Sequence, residues 1–590
     1  MAVRLSGIPY RSRRSYAGIP LKLKSNTEEE CPDTNDGTPK KNSISANSRT
    51  QKKCSNRLNE VSQIGDYKGL IKIYDTSLRD GTQGEGVSLS AEDKMKIARR
   101  LDEMGFHYIE GGWPGSNPKD MEFFARLRQT PLKNALVTAF GSTCRPGVEA
   151  ARDENLNRLL ESGVRAAAIF GKTWDFHVTK ALNTSLEENL RMVRDSVAYL
   201  KQQGLTVFFD GEHFFDGFKA NPDYALSVLR AAVEGGADAV VLCDTNGGSL
   251  PHEVQSVVAR VKQELPGVEL GIHAHNDGEM AVANTIVAVQ AGVTQVQGTV
   301  NGLGERCGNA NLCSILPNLT LKLGYETIPR ENFAFLTELS RFVYEMANLN
   351  PVNNQPFVGE SAFAHKGGIH VSALLKEPGT YEHMPPEWVG NTRRVLMSEL
   401  SGLSNLLYKY KELHLDKSSP EGRRVLEQLK NMEHRGYQFE AAEGSLEIML
   451  RKAVNGYREP FQLESMRLIL EMREDRPIQS EAVIKLRVGE EVVHTAAEGN
   501  GPVNALDNAL RKALETVYPE VPGLRLLDYK VRVLEEKAGT EAQVRVLIET
   551  GNGKKTWGTV GVSTNIIEAS WQALADGMAY GLLKDENNKA

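Results

Sequence analysis

The chain has 590 residues, of which 40% are hydrophobic and 25% charged, with a formal net charge of −6; this is the composition of a soluble globular protein with room for two or three cores. The acidic balance speaks against a nucleic-acid binder, which needs a basic face, and the absence of any run of about eighteen apolar residues speaks against a membrane span. Six cysteines, Cys31, Cys54, Cys144, Cys243, Cys307 and Cys313, form no C-x-x-C pair, a usage that fits a reducing compartment.

Residues 1–68 are rich in Ser, Asn, Lys, Arg and Thr, lack apolar periodicity and are expected to be disordered. Within them, Met1–Thr27 carries Arg4, Arg11, Arg13, Arg14, Lys22 and Lys24 and no acid. That is the composition of an organelle transit peptide, or equally of a dispensable tail or a misassigned start. The expected compartment is therefore the cytoplasm, or the plastid or mitochondrial matrix if this stretch directs import.

From Ile71 to about Leu323, short apolar runs alternate with amphipathic helical patterns. The strand candidates are Ile71–Tyr74, Tyr108–Gly111, Ala135–Ala139, Arg165–Phe170, Thr206–Phe209, Ala239–Cys243, Glu269–His273 and Gln295–Thr299. Between them lie helices such as Ser90–Met104 and Ser185–Gln203, each opened by a serine placed to cap it. Eight β/α units in about 250 residues predict an α/β fold, a (β/α)8 TIM barrel over residues 69–330. An open doubly wound sheet fits less well, because no Gly-x-Gly-x-x-Gly follows the first strand.

In such barrels the chemistry sits at the C-terminal ends of the strands. The unusual polar residues fall there: Arg79 and Asp80 after the first strand, Glu212 and His213 after the fifth, Asp244, Thr245 and Asn246 after the sixth, His273 and His275 at the seventh, and the glycine-rich Asn301–Asn309 loop after the eighth. Two histidines at spacing two on a strand share one face. His273 and His275 therefore read as an imidazole pair for Zn, Mn, Fe or Co, with Asp80 supplying an oxygen.

Three long motifs carry a family resemblance: Asp75–Thr82, His273–Glu279 with Ala281–Asn284 after it, and Gly302–Asn309. Through them the chain resembles the citramalate and isopropylmalate synthase group of metal-dependent acyl transferases, from Ile71 to the C-terminus. The finer resemblance, through Gly111–Asp120, Phe209–Gly217 and Phe363–His370, is to the citramalate synthases.

The resemblance implies condensation of acetyl-CoA with pyruvate and water to give citramalate and CoA, on a route to isoleucine. It implies a divalent cation (Mn, Zn, Mg or Co) on Asp80, His273 and His275, with Asn309 as a further ligand. Arg79 is then placed to stabilise the developing alkoxide, Thr245 to hold the substrate carboxylate, and Glu212, His370 and Tyr381 to move protons, with His370 the base. Val371 and Ser372 follow His370 where related synthases carry an acid or amide. His213 and His365 read as structural.

Residues 331–460 read as a mostly helical connector, which in related enzymes lies over the neighbouring barrel and implies a homodimer with shared sites. Residues 461–590 repeat a βββα pattern, with helices opening at Val503 and near Asn565. They resemble the family's amino-acid-sensing domain, and helix N-termini after Gly499–Val503 and Gly561–Asn565 suit a carboxylate; isoleucine is the expected feedback inhibitor. Competing readings are synthesis of isopropylmalate or homocitrate, a hydroxymethylglutaryl-CoA-lyase-like carbon–carbon lyase, and a non-catalytic metabolite sensor. One or two methylenes separate the competing keto acids, a difference worth only about 1–3 kcal/mol in a hydrophobic pocket, and Trp113 and its loop favour the smaller one.

Overall fold

The computed structural model describes residues 67–396, 420–453, 457–474, 476–534 and 536–586. The expectations for Met1–Thr27, Cys31 and Cys54, and for the rest of residues 1–66, lie outside the described residues. Eight parallel strands close a barrel in chain order: β1 (Lys72–Asp75), β2 (Tyr108–Gly112), β3 (Leu136–Ser142), β4 (Ala166–Lys172), β5 (Thr206–Glu212), β6 (Ala239–Asp244), β7 (Glu269–Ala274) and β8 (Gln295–Gly298). β1 closes the ring on β8 through the register Tyr74↔Gln297.

Small and large side chains share the barrel interior. Ala166 and Ala168 of β4 and Ala239 of β6 leave room for Tyr74, Phe140 and Phe208, and the Tyr74 and Phe208 rings meet edge to face at 5.7 Å. This alternation fills the barrel instead of leaving a pore. The outer helices bury their apolar stripes against the strands' other faces. Ser90 caps Ala91–Met104 with a full capping box, its Oγ accepting the Asp93 N–H while Asp93 accepts the Ser90 N–H. Ser185 caps Leu186–Gln202 by accepting the Glu188 N–H at 3.1 Å.

Several strands run further than their apolar runs. β3, β4, β5 and β6 continue to Ser142, Lys172, Glu212 and Asp244, where glycines and polar residues interrupt the hydrophobic pattern. The ladder continues because the strands' C-terminal ends line the mouth, where polar side chains are tolerated.

The connector is more broken than its periodicity suggests. It holds Leu336–Met346 and Gly368–Leu374 as helices, several single 3-10 turns, and a parallel pair of two-residue strands, β9 (Ala364–His365) and β10 (Arg394–Val395). After the helices Pro420–His434 and Glu443–Ala453 come two three-stranded antiparallel sheets, β11–β13 (Gln462–Arg473, Arg476–Val488, Glu491–Gly499) and β14–β16 (Arg525–Val533, Val544–Gly551, Thr556–Ser563). Each sheet is followed by a helix, Pro502–Leu514 and Ile566–Glu586, and the two share a core that includes Leu510, Ile484, Trp557 and Tyr580. Among the described residues no helix is long and apolar enough to cross a membrane.

Candidate metal centre and active site

Asp80 opens a single 3-10 turn just beyond β1. His273 lies on β7 and His275 just past its end, and strand alternation puts both rings on one face, 5.2 Å apart. Asp80 Oδ2 stands 3.2 Å from His273 Nε2 and 4.0 Å from His275 Nε2. All three side chains are buried, and one ligand atom of each lies within 4.8 Å of the others.

Asn309 joins this group through an antiparallel bridge to His275. Its Nδ2 donates to the Leu303 carbonyl at 3.1 Å. The glycine-rich loop makes that approach possible: Gly304 has φ +154°, and a Cβ there would collide with the Asn309 amide. Asp80 Oδ1, His275 Nδ1 and Asn309 Oδ1 are buried without a hydrogen-bond partner among the described residues. Buried polar atoms left without a partner are costly unless a water or a cation satisfies them. Two imidazoles with carboxylate and amide oxygens are a donor set suited to a divalent metal.

The electrostatics are divided. Burial works against the Asp80 charge, but the adjacent Arg79 guanidinium and His273 overcome it and hold the carboxyl well below the usual range. Burial, and then the neighbouring His273, lower His275 to about 4. His273 is also penalised by burial, yet its contact with Asp80 raises it above its ordinary value.

Arg79 is gripped on three sides. Its Nε donates to Glu110 Oε1 at 2.6 Å, its Nη1 lies 3.3 Å from Asp80 Oδ2, and its guanidinium carbon lies 3.8 Å from the centre of the Phe140 ring. Glu110 is fixed in turn by the Tyr74 hydroxyl at 2.8 Å. Glu212 ends β5 and forms an ion pair with Lys172, its register partner on β4. The Thr245 hydroxyl accepts the His213 N–H at 2.8 Å.

The His370 and Tyr381 rings stack on each other at 4.2 Å, and both are exposed. Among the described residues no hydrogen bond, ion pair or ring contact joins either to Arg79, Asp80 or Glu212. His213 adopts a left-handed backbone (φ 56°) before the helix Phe214–Ala220 and faces Asp216 at 3.3 Å. His365 lies 3.1 Å from Glu382, which Arg393 also holds.

Sequence reasoning passed over five participants. Glu110, Asp210 and Gln297 are buried inside barrel strands, and their signal was a charge or amide inside an otherwise apolar run. Lys172 shows no such signal. Arg306 grips Asp277 with two bonds of 2.7 and 3.0 Å and donates to the Thr245 carbonyl at 2.7 Å, tying together the loops after β6, β7 and β8. It sits inside the glycine-rich motif, whose glycines drew the attention.

Fold and site together define the class: a TIM-barrel enzyme with an Asp/His/His centre at its mouth, and the HMGL-like family model matches residues 70–343. The homocitrate synthase post-HMGL domain-like model matches residues 357–437, and the LeuA allosteric (dimerisation) domain model matches residues 440–582. The chain is 54% identical to an (R)-citramalate synthase of Aquifex aeolicus over 88% of this chain and 98% of that protein. It is 55% identical to an (R)-citramalate synthase of Geobacter sulfurreducens over the same shares. A 2-isopropylmalate synthase of Methanocaldococcus jannaschii is 30% identical over 88% of this chain and 95% of that protein. The chain belongs to the (R)-citramalate synthase family.

Proposed function

We propose that this protein condenses acetyl-CoA with pyruvate and water to form (R)-citramalate and CoA, as a step toward isoleucine. The observation that carries this reading is identity above half, along nearly the whole length of the relatives, to (R)-citramalate synthases. The chemistry needs a polarised ketone, a base for the acetyl methyl and stabilisation of a developing alkoxide. A divalent cation held by Asp80, His273 and His275, with Asn309 as a further donor, would supply Lewis acidity to the keto acid.

The chain's own groups supply the rest. Arg79, held rigid by Glu110 and Phe140, donates to the ketone oxygen as it gains charge, with no reorganisation needed at that moment. Thr245 Oγ1 already accepts the His213 N–H, so its proton is free to donate to the keto-acid carboxylate. His370 takes the methyl proton, Tyr381 holds its ring by stacking, and Glu212 completes the proton path. Water then hydrolyses the thioester and CoA leaves.

Since His370 and Tyr381 stand on the connector, the reading requires the connector of a second copy over each barrel, hence a homodimer. Isoleucine acts as feedback inhibitor through the C-terminal domain, where the helix Pro502–Leu514 begins at Gly501 without a side-chain cap. Titration with isoleucine to saturation, showing neither binding nor lost activity, would remove that part. The compartment is the cytoplasm if Met1–Thr27 is retained, and the plastid or mitochondrial matrix if it is cleaved on import; the mature N-terminus distinguishes them.

Thiol-detected CoA release with a panel of keto acids tests the substrate. Pyruvate-dependent release is expected. Release only with 2-oxoisovalerate would move the protein to isopropylmalate synthesis, and release with none would favour a sensor.

A further inference from the structure

His273 can serve as a ligand through Nε2 only if its proton sits on Nδ1, and the barrel interior contains a device that decides this. His273 Nδ1 lies 2.9 Å from Gln297 Oε1, its register partner on β8. The Gln297 amide nitrogen donates to Asp210 Oδ1, on β5, at 3.3 Å. All three side chains are buried. An amide by itself fixes no tautomer, because turning it over exchanges acceptor for donor. Here the turn is opposed whenever Asp210 is ionised: a reversed Gln297 would point its carbonyl at the Asp210 carboxylate, acceptor against acceptor in a buried space.

We propose that Asp210 and Gln297 form a positioning relay across the barrel that sets the His273 tautomer. Asp210 orients the amide, the amide carbonyl takes the Nδ1 proton, and the Nε2 lone pair is left facing Asp80 and the cation. Neither residue touches the cation or the substrate. The inference rests on the metal centre proposed above and adds to it the group that prepares its ligand on β7. Partners of this kind hold a ligating histidine in orientation and typically change metal affinity ~10–100-fold when removed.

The test is binding of Mn2+ alone to the metal-stripped full-length protein, with free Mn2+ counted by electron paramagnetic resonance. Gln297→Leu is expected to weaken binding by ~10–100-fold, with the near-ultraviolet circular dichroism of the wild type retained. The double variant Gln297→Glu with Asp210→Asn keeps an acceptor for the Nδ1 proton and an amide donor to hold it, and is expected to stay close to wild type. Asp210→Ala frees the amide to turn and is expected to weaken binding in the same direction as Gln297→Leu. Wild-type affinity in Gln297→Leu, or equal losses in Gln297→Leu and the double variant, would overturn the relay while leaving the metal centre standing. Failure of the wild type itself to bind Mn2+, Zn2+ or Co2+ would overturn the centre and the relay together. If Gln297→Leu does not fold, the double variant and Asp210→Ala decide.

Discussion

His273 and His275 share a strand face yet are pushed in opposite directions, one raised by Asp80 against the cost of burial and the other lowered to about 4 by burial and by its neighbour. In the metal-free protein His273 therefore keeps its proton to a pH above its ordinary 6.5, while His275 is already neutral. Proton release on cation binding is then expected to come from His273 and to grow as pH falls, with affinity falling alongside, and His275 adds to it only toward pH 4. Calorimetry in buffers of different ionisation enthalpy measures the release against pH, and release that does not grow as pH falls would contradict the assignment. His273→Ala should deplete the metal and abolish turnover; an active, metal-replete variant would remove His273 as a ligand. The pairing of His273 and His275 was legible because spacing two puts both side chains on one face of a strand. Asp210 and Gln297 were not, since their importance lies in which distant strand they face.

At the scale of elements, the glycine-rich loop after β8 is a positioning device. Gly304 sits where only glycine fits, against the Asn309 amide. Gly304→Ala should displace Asn309 and weaken metal binding and turnover together, with little change in the thermal transition of the barrel; unchanged metal affinity would show that Asn309 is not a donor. Among the described residues the capping box at Ser90 makes no contact with Asp80, His273 or His275, and Ser90→Ala should cost about 1 kcal/mol of stability with unchanged kcat, as read by urea denaturation and steady-state assay. All eight strands were readable from alternating apolar runs and capping serines. Their C-terminal ends were not, because Gly211 and Glu212 or Gly171 and Lys172 look like turns until the ladder between β4 and β5 pairs them with each other. The connector escaped for the opposite reason: its helical residues are real, but prolines and glycines such as Pro378, Gly379, Pro385 and Pro386 cut them into single turns.

For the whole molecule, the roles proposed for Asp80, His273 and His275 on the barrel and for the exposed His370–Tyr381 stack on the connector predict a homodimer that shares its sites. Two inactive variants, His273→Ala and His370→Ala, should regain activity when mixed and allowed to exchange subunits, because each mixed dimer then holds one barrel with intact ligands beneath an intact connector. Continued inactivity after demonstrated exchange would mean that each chain completes its own site. The three-part organisation was visible in the sequence as changes of period, from β/α alternation to a βββα repeat. A second copy over the barrel is expected from the family resemblance alone, because a surface that waits for a partner carries the same residues as one that faces water.

The central claim is that one carboxylate from the end of β1 and two imidazoles from β7 hold a single catalytic cation. Anomalous diffraction at the manganese edge from Mn2+-soaked crystals of the full-length protein tests it most directly. The account predicts one strong peak within roughly 2.0–2.3 Å of an Asp80 carboxylate oxygen and of one nitrogen from each of His273 and His275. A peak elsewhere, or none at saturating Mn2+ while pyruvate-dependent CoA release persists, would contradict it.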